Sequence, residues 1–434
     1  MRIRIDYGKS GLEVEIPDAH FVKALRMRPA PLLRDVQGAV TSALLRPIGC
    51  APLVELARGK KTACIAICDI TRPVPNWLLL PPILQALAEG GIPEGCVTVL
   101  IATGLHRPNE GRELEELVGE ELAKRLRIVN HVARDPGQHV YLGTTRRGTP
   151  VYVDRRFVEA DLHLAVGLIE PHLMAGFSGG RKVVCPGLVS VETMRWFHGA
   201  SLLAHEAARE GVLEGNPVHR EATEVARLAR VDFAVNVALD EERNVVGIFA
   251  GELEASFAEG VAFVRQYVRD VVQEPVDVVV TSGGGYPLDA TFYQAIKGAT
   301  AAAGVVKPGG TILLVAACTE GLGSREFVQL LRQYPDPAEF EKVLARGDFF
   351  AIDQWQYQEL AKVLHKADVW LVNDTIPPEM RRYVPIPVFA DGQEALQEAL
   401  RKHGVSARVA AIPRGPYVLA EVGNDCVHGQ DRGN

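Results

Sequence analysis

The stretch TACIAICDITRP, residues 62–73, carries the reading of the fold. Thr62–Ile70 is an almost unbroken apolar run, which predicts a strand buried on both faces of a parallel sheet. Asp69, Ile70, Thr71, Arg72 and Pro73 stand at its end. Two further apolar runs end the same way. Val97–Ala102 leads into Thr103-Gly104-Leu105-His106, and Asp161–Leu168 leads into Glu170-Pro171-His172. Ligands of open α/β sheets bind just past the carboxyl ends of the strands. Three consecutive strand ends bearing charged or titratable groups therefore mark a candidate site.

Outward from these runs, strands and helices alternate. Trp77–Glu89 reads as a helix broken at Pro81-Pro82, and Arg112–Arg125 as an acidic amphipathic helix. Val191–Ala208 and Asn216–Arg230 read as helices, the second capped by Asn216 with Pro217 at its first position. Phe233–Leu239 and Val245–Phe249 form a hairpin, and Glu254–Val271 a long helix. After Pro275 the alternation restarts. Strands are expected at Val276–Thr281, Thr311–Ala316, Asp368–Val372 and Ala407–Ile412. Helices are expected at Thr291–Ala303, Phe327–Gln333, Pro337–Arg346 and Gly392–His403. The first residues read as a hairpin turning at Gly8–Gly11, and HGQDRGN at the end as a frayed tail. The class is α/β, with two α/β (Rossmann-like) domains. The expected boundary gives residues 1–270 to a catalytic, cofactor-tethering domain and 271–434 to a domain contributing substrate-binding residues.

Composition narrows the partners. Of 434 residues, 47% are hydrophobic and 23% charged, as in an average soluble globular protein, and 41 Gly and 27 Pro suit many loops. With a net charge of −7 and no basic stripe, nucleic acid is not the expected partner. No apolar run approaches the ~20 residues of a spanning helix, and the first residues lack the apolar core of a signal peptide. The seven Cys have no paired metal-ligand spacing, and Cys64 and Cys68 lie in an apolar run as core residues. A reducing cytoplasm is the expected compartment.

Each candidate residue also has a plain structural reading. Asp69-x-Thr71-Arg72 reads equally as an Asp-capped turn. His106 and His172 read as loop histidines, and His198 as a packed core residue near Trp196 and Phe197. Ser178–Lys182 reads as a Gly-rich turn with solvated cations. It is not a P-loop, because Arg181 stands where the second Gly belongs and no Ser or Thr follows Lys182. A Gly-rich stretch leading to a lysine still lets backbone amides approach an anion or cofactor. Thr281–Pro287 lacks the G-x-G-x-x-G spacing, which disfavours a nicotinamide dehydrogenase. Gln294 and Lys297, beside Tyr293, share a helix face and suit a carboxylate, or form a solvated face. Trp355, amid polar residues, is a surface anchor or a lid. Convergence of these features weighs more than any one of them.

In order and spacing, Asp-x-Thr-Arg-Pro (69–73), Gly-Leu-His-Arg-Pro (104–108), Pro-His-x-x-x-Gly-Phe-Ser-Gly-Gly-x-Lys (171–182), His198, Tyr-Gln-x-x-Lys (293–297) and Trp355 resemble the nickel-pincer lactate racemase family. The resemblance runs from about residue 60 to 360, and His172–Lys182 is its most specific piece. It implies two α/β domains joined by helices with the active site in the cleft between them. It implies a pyridinium mononucleotide (a 3-thioamide-5-thiocarboxylic acid) whose sulfur arms hold nickel, attached covalently to Lys182. His198 matches the protein ligand to nickel, and His106 and His172 match the acid/base pair. Asp69–Arg72, including Ile70 and Thr71, matches the segment that contacts the cofactor, with Arg72 near the substrate carboxylate. Tyr293, Gln294, Lys297 and Trp355 match substrate-binding residues. The implied partners are a 2-hydroxy acid and the proteins that build the cofactor.

The chemistry agrees with this residue set. The C2 hydrogen of a 2-hydroxy acid is a very weak acid, and removing it as hydride avoids a carbanion. The planar 2-keto acid so formed accepts hydride on either face, and one base per substrate orientation is expected, which two histidines provide. The carboxylate must be held while the centre turns, a task for Arg72, Gln294 and Lys297. The expected activity is racemisation or epimerisation at C2. Other readings are a sugar-acid C2 epimerase on the same cofactor, a hydrolase or lyase with His106, His172 and His198 as metal ligands, and a protein that only stores the nucleotide. Arg181 and Cys185 have no assigned role at this stage.

Overall fold

The computed structural model describes residues 1–347 and 349–423, so HGQDRGN lies outside the described residues. Two compact units result. One comprises residues 28–268 and 342–355, the other 1–27, 269–341 and 356–434.

In the first unit, six strands lie in the order Val245–Gly251, Phe233–Leu239, Leu162–Leu168, Ala63–Cys68, Val97–Ala102, Arg127–Asn130. All neighbours are parallel except the hairpin that ends the sheet at Val245–Gly251. From Ala63–Cys68 the chain winds outward through Val97–Ala102 to Arg127–Asn130. It then returns to the other side of Ala63–Cys68 and winds the opposite way. The winding reverses between Ala63–Cys68 and Leu162–Leu168, and such a reversal opens a crevice at the carboxyl ends of the two strands. Both strands are buried almost throughout, with Ile65, Ala66, Leu164, Ala165 and Val166 fully inside, so apolar layers cover both faces.

The second unit holds a six-stranded, wholly parallel sheet in the order Val388–Phe389, Asp368–Val372, Val306–Val315, Val276–Ser282, Val409–Ile412, Phe21–Ala24. Here the winding reverses beside Val276–Ser282, which the Gly283–Gly285 turn follows. The edge strand comes from the chain's first residues, so residues 1–27 sit with the second unit and not with the domain expected at 1–270. The reason is non-local pairing. Phe21, Lys23 and Ala24 lie in parallel register with Val409, Ala410 and Ala411, and Ile3, Ile5, Val14 and Ile16 join that unit's core.

Several elements differ from expectation for local reasons. The helix Asn76–Glu89 runs through Pro81 and Pro82 without a break. The missing N–H groups release only the carbonyls of Trp77 and Leu78, in the first turn, where Trp77 is exposed. The expected helix over 112–125 is two, split at Gly119, where φ is +88°. The expected helix over 191–208 stops at Phe197 and resumes at Ala200, which leaves His198 at the break. The helix Leu253–Val268 ends three residues early because Arg269–Val272 pairs as a strand with Leu419–Val422. Asn216 caps its helix as expected, accepting from the backbone N–H of Val218 and His219.

Candidate active site

Asp69, the first residue after Ala63–Cys68, is buried. One carboxylate oxygen accepts from the Thr71 hydroxyl at 2.6 Å and the Thr71 amide at 3.3 Å, an Asx turn that closes the strand end. The other lies 2.6 Å from His106 Nδ1. Burial raises the carboxyl pKa, but His106, Thr71 and Arg72 outweigh it and hold Asp69 below the ordinary carboxylate value. The ionised carboxylate accepts, so His106 Nδ1 donates.

His106 is placed by the end of Val97–Ala102. Its amide bonds back to Thr103, and the Thr103 hydroxyl is fixed on the His131 carbonyl at 2.8 Å. The His106 side chain is 42% exposed, so its far edge faces open space. Asn109 ties the two loops together, accepting from the Ile70 amide at 3.1 Å while its own amide bonds Asn130 at 2.9 Å.

Arg72 and Glu170 bridge the crevice between the two reversing strands, with Arg72 Nη1 donating to Glu170 Oε1. Glu170 belongs to the loop after Leu162–Leu168. There Ser178 folds the loop back, its hydroxyl on the Leu168 carbonyl at 2.6 Å and its amide on the Glu170 carbonyl at 2.9 Å. His172 is buried, and its Nδ1 accepts from the backbone N–H of Met174 at 3.2 Å and of Ala175 at 3.3 Å.

The loop then passes through Gly176 and Gly179 at φ +77° and +83°. A Cβ on Gly176 would lie 2.2 Å from the Val212 carbonyl oxygen, and one on Gly179 would lie 2.9 Å from Ile169 Cγ1, so both positions need glycine. Gly180 N–H is held by Asn236 Oδ1 at 2.7 Å. Arg181 is wholly buried and has no carboxylate partner among the described residues. Its guanidinium spans the carbonyls of Ala175, Phe177, Ser178 and Gly179 and stacks over the Phe257 ring at 4.0 Å. Burial lowers its pKa to about 9, which still leaves it charged at neutral pH. Arg181 thus closes the loop from within, a role that sequence reading left unassigned. Cys185 is simply core, its thiol pushed up by burial.

Lys182 follows, with Nζ 5.8 Å from the centre of the Phe197 ring. His198 stands at the helix break beside it. Burial, with the Lys182 ammonium nearby, pushes the His198 pKa well below the ordinary imidazole value. It is a neutral ring whose Nδ1 has no hydrogen-bond partner among the described residues. Phe197 meets it edge-on, and Trp355 stacks on its face with centroids 4.3 Å apart. Trp355 is 5% exposed, a buried wall and not a surface anchor.

Among the described residues, no three His, Cys, Asp or Glu side chains are grouped to hold a metal. A metal held by His198 would therefore need its other donors from a non-protein group. A lone, neutral, unpartnered imidazole beside a lysine fits a nucleotide that brings its own chelating arms and is tethered to that lysine. It does not fit the three-histidine metal centre of the hydrolase reading.

Tyr293, Gln294 and Lys297 stand on the helix Phe292–Ala303 of the second unit, which Thr291 caps. Gln294 Oε1 is buried with no partner among the described residues. Sequence reading missed Glu170 as the partner of Arg72, the Asp69–His106 pair, and Asn109, Asn130 and Asn236. The polar residues flanking strand ends were the only available signal.

These features define a doubly wound, two-unit α/β protein with polar and titratable side chains gathered at the carboxyl ends of the first unit's strands. The lactate racemase N-terminal domain model matches residues 7–211, and the C-terminal domain model matches 271–420. The chain is 36% identical to the lactate racemase of Thermoanaerobacterium thermosaccharolyticum over 421 residues, 96% of this chain and 98% of that one. It is 35% identical to that of Lactiplantibacillus plantarum over 423 residues, 96% of this chain and 99% of that one. The lactate racemase apoprotein structure from T. thermosaccharolyticum superposes with a TM-score of 0.90, covering 97% of this chain and all of the other. A Thermotoga maritima protein, 20% identical, shares the fold at a TM-score of 0.71, covering 92% of this chain and all of that one. The chain belongs to the lactate racemase family and is an isomerase. No helix among the described residues is long and apolar enough to cross a membrane.

Proposed function

We propose that the protein inverts C2 of a 2-hydroxy carboxylic acid, lactate or a close relative, with a nickel-pincer nucleotide tethered to Lys182. The observation that carries this reading is the buried, neutral His198, its Nδ1 unpartnered, beside Lys182. Its relatives' activity points the same way.

When bound, the nucleotide supplies a hydride acceptor and donor, with nickel among soft sulfur and imidazole donors. The chain's own residues do the rest. Lys182 provides the amine for the tether and His198 the protein's metal donor, with Trp355 and Phe197 excluding water from that ring. Asp69–Arg72 lines the cofactor's entrance. Arg72, paired with Glu170, is the guanidinium that would take the substrate carboxylate. On the second unit, Gln294 and Lys297, with Tyr293, share one helix and suit a carboxylate. His106 and His172 manage the proton on the C2 oxygen. Cytoplasmic location and reliance on cofactor-building proteins follow from this reading. Epimerisation of a sugar acid at C2 would use the same groups and differ only in the substrate's tail.

The test is the intact mass and nickel content of protein made alongside the cofactor-building enzymes. One covalent adduct lost in Lys182→Ala, with stoichiometric nickel lost in His198→Ala, is the expected result. An adduct retained on Lys182→Ala overturns the tether. Neither adduct nor nickel in folded protein overturns the reading.

A further inference from the structure

Between Lys182 and His198 the chain is stitched down carbonyl by carbonyl. The Gly187 carbonyl accepts from the Gly104 amide at 3.0 Å, the Leu188 carbonyl from the Asp154 amide at 2.9 Å, and the Val189 carbonyl from His131 Nε2 at 3.1 Å. Ser190 then donates its amide to the Tyr152 carbonyl at 3.0 Å and caps the helix Val191–Phe197, at whose end His198 stands. The first two donors are backbone groups. The third is a fully buried side chain. A carbonyl only accepts, so His131 Nε2 donates. His131 Nδ1 lies 2.9 Å from Asp154 Oδ2. Burial raises the Asp154 carboxyl pKa, but Arg156 and His131 outweigh it and lower it to about 2. An ionised carboxylate also only accepts, so Nδ1 donates too, and the His131 ring is an imidazolium. A neutral ring would set a bare nitrogen against a carboxylate or a carbonyl in a buried place.

The groups around the ring agree with that charge. Arg156 forks onto both oxygens of the same carboxylate, through Nε at 2.8 Å and Nη2 at 2.5 Å. The His139 ring meets His131 edge-on at 5.2 Å, and its Nδ1 donates to the Asp135 carbonyl at 2.8 Å. Burial and the His131 charge hold the His139 pKa below the ordinary imidazole value. The Cys64 thiol, on Ala63–Cys68, is kept protonated by burial and by Asp154. One anion thus serves two cations, and the neighbouring histidine and thiol stay neutral.

We propose that His131 is a positioning residue, a buried imidazolium that pins residues 185–190 and so sets the spacing between Lys182 and His198. A charged donor makes a bond roughly twice as strong as a neutral one, so the Val189 carbonyl is held harder than its two neighbours. The His131 backbone serves the next strand end as well. Its carbonyl holds the Thr103 hydroxyl at 2.8 Å, and its amide bonds the Ile101 carbonyl at 3.0 Å. One residue therefore ties the end of Val97–Ala102 to the chain that leads into His198. This rests on the racemase reading above, in which Lys182 is the tether and His198 the metal donor. A tether and a metal donor that serve one group must keep a fixed separation, and outer partners of this kind tune how tightly a metal is held.

Three measurements test it. Neutron diffraction from deuterated crystals of the wild-type protein at pH 7 reads the ring protons without any substitution. Deuterium is expected on both nitrogens of His131 and on Nδ1 alone of His139. A bare nitrogen on His131 overturns the proposal. The second is hydrogen exchange of the full chain without cofactor. His131→Gln keeps an amide donor but no charge, and exchange over residues 185–198 should quicken about 10–100-fold, as for loss of a charge-assisted bond. The strands of the same unit should exchange as before. Unchanged exchange, or uniform acceleration across the unit, overturns the proposal. If His131→Gln does not fold, Asp154→Asn, which keeps the ring and removes its counter-charge, should loosen the same residues. The third is nickel retention in loaded protein. In His131→Gln the adduct at Lys182 should still form fully, while nickel passes to a chelator about 10–100-fold faster. An adduct lost in step with the nickel, or nickel held as in the wild type, overturns the proposal. Wild-type protein that gains neither adduct nor nickel overturns the racemase reading instead, and the ring protons and the exchange of residues 185–198 then decide the clamp by themselves.

Discussion

The indole of Trp355 lies on the imidazole of His198, their planes 22° from parallel and their centroids 4.3 Å apart. The two residues are 157 positions apart in sequence, and nothing local joins them. The stack closes one face of the ring against water, while Phe197 closes an edge.

Removing the indole should therefore do more than leave a cavity. Trp355→Ala is expected to cost about 3–5 kcal/mol of unfolding free energy, typical of a buried aromatic, read by urea denaturation. In loaded enzyme it should also hasten nickel loss to a chelator. Trp355→Phe, which keeps a ring on His198, should recover most of the metal retention. Equal nickel loss in both variants would show that the stack plays no part in holding the metal.

Arg72 holds Glu170 across the crevice with one N–H. Arg72→Ala leaves Glu170, itself buried, without that charge partner. A charge-assisted bond is worth about 1.5–3 kcal/mol, so KM for a 2-hydroxy acid should rise about 10–100-fold, with kcat lowered as well. Arg72→Lys should recover little, since one ammonium cannot serve Glu170 and a substrate carboxylate with the guanidinium's fork. Unchanged steady-state kinetics would move the carboxylate elsewhere.

Arg181 spends its guanidinium on four carbonyls of the loop that carries His172 and precedes Lys182. Arg181→Lys cannot reach them all, and each abandoned buried carbonyl costs about 1–3 kcal/mol. The variant should lose several kcal/mol of stability. Mass spectrometry should show slower adduct formation at Lys182 even where the protein is still folded. A stability loss without any change in adduct formation would limit Arg181 to the fold.

Glu359 gives a pH signature in the second unit. It is buried, and burial raises its pKa from 4.5 to about 7 although Lys362 lies 3.0 Å away and pulls it down. A carboxyl whose folded pKa lies above its unfolded value penalises the folded state once it ionises. Below pH 4.5 it is neutral in both states and costs nothing. The penalty grows as pH rises and is complete above about 7, at roughly 3 kcal/mol by linkage. Glu359→Gln should thus stabilise the protein at pH 8, have little effect at pH 4.5, and flatten the decline between. Thermal melts across that range measure it, and equal shifts at both ends would refute it.

Much of the site could be read from the chain alone. The strands Ala63–Cys68, Val97–Ala102 and Leu162–Leu168 were visible as mostly apolar runs because a parallel strand covered on both faces has little room for polar side chains. The residues at their ends stood out for the same reason, as the first polar groups after each run. The Asn216 cap and the helix Gly392–His403 were equally plain, since their signals lie within a few residues.

What stayed hidden depends on contacts between distant segments. Residues 1–27 join the second unit because a four-residue strand finds its register on Val409–Ala411, nearly 390 positions away. Arg181 looked like a solvated cation because only the folded loop turns four carbonyls inward. Pro81 and Pro82 announce a break that packing of Leu79, Leu80, Ile83 and Leu84 in the core overrides.

The sequence by itself determined the α/β class and the strand ends that carry polar and titratable groups, because side-chain period and turn chemistry act over short distances. Only the tertiary structure decided what surrounds each histidine. A carboxylate reaches one Nδ1 from a strand end 37 positions away, two amides of its own turn occupy the other, and an indole seals the third ring. Protonation, tautomer and burial are properties of neighbours in space, and the linear chain does not specify them until it folds.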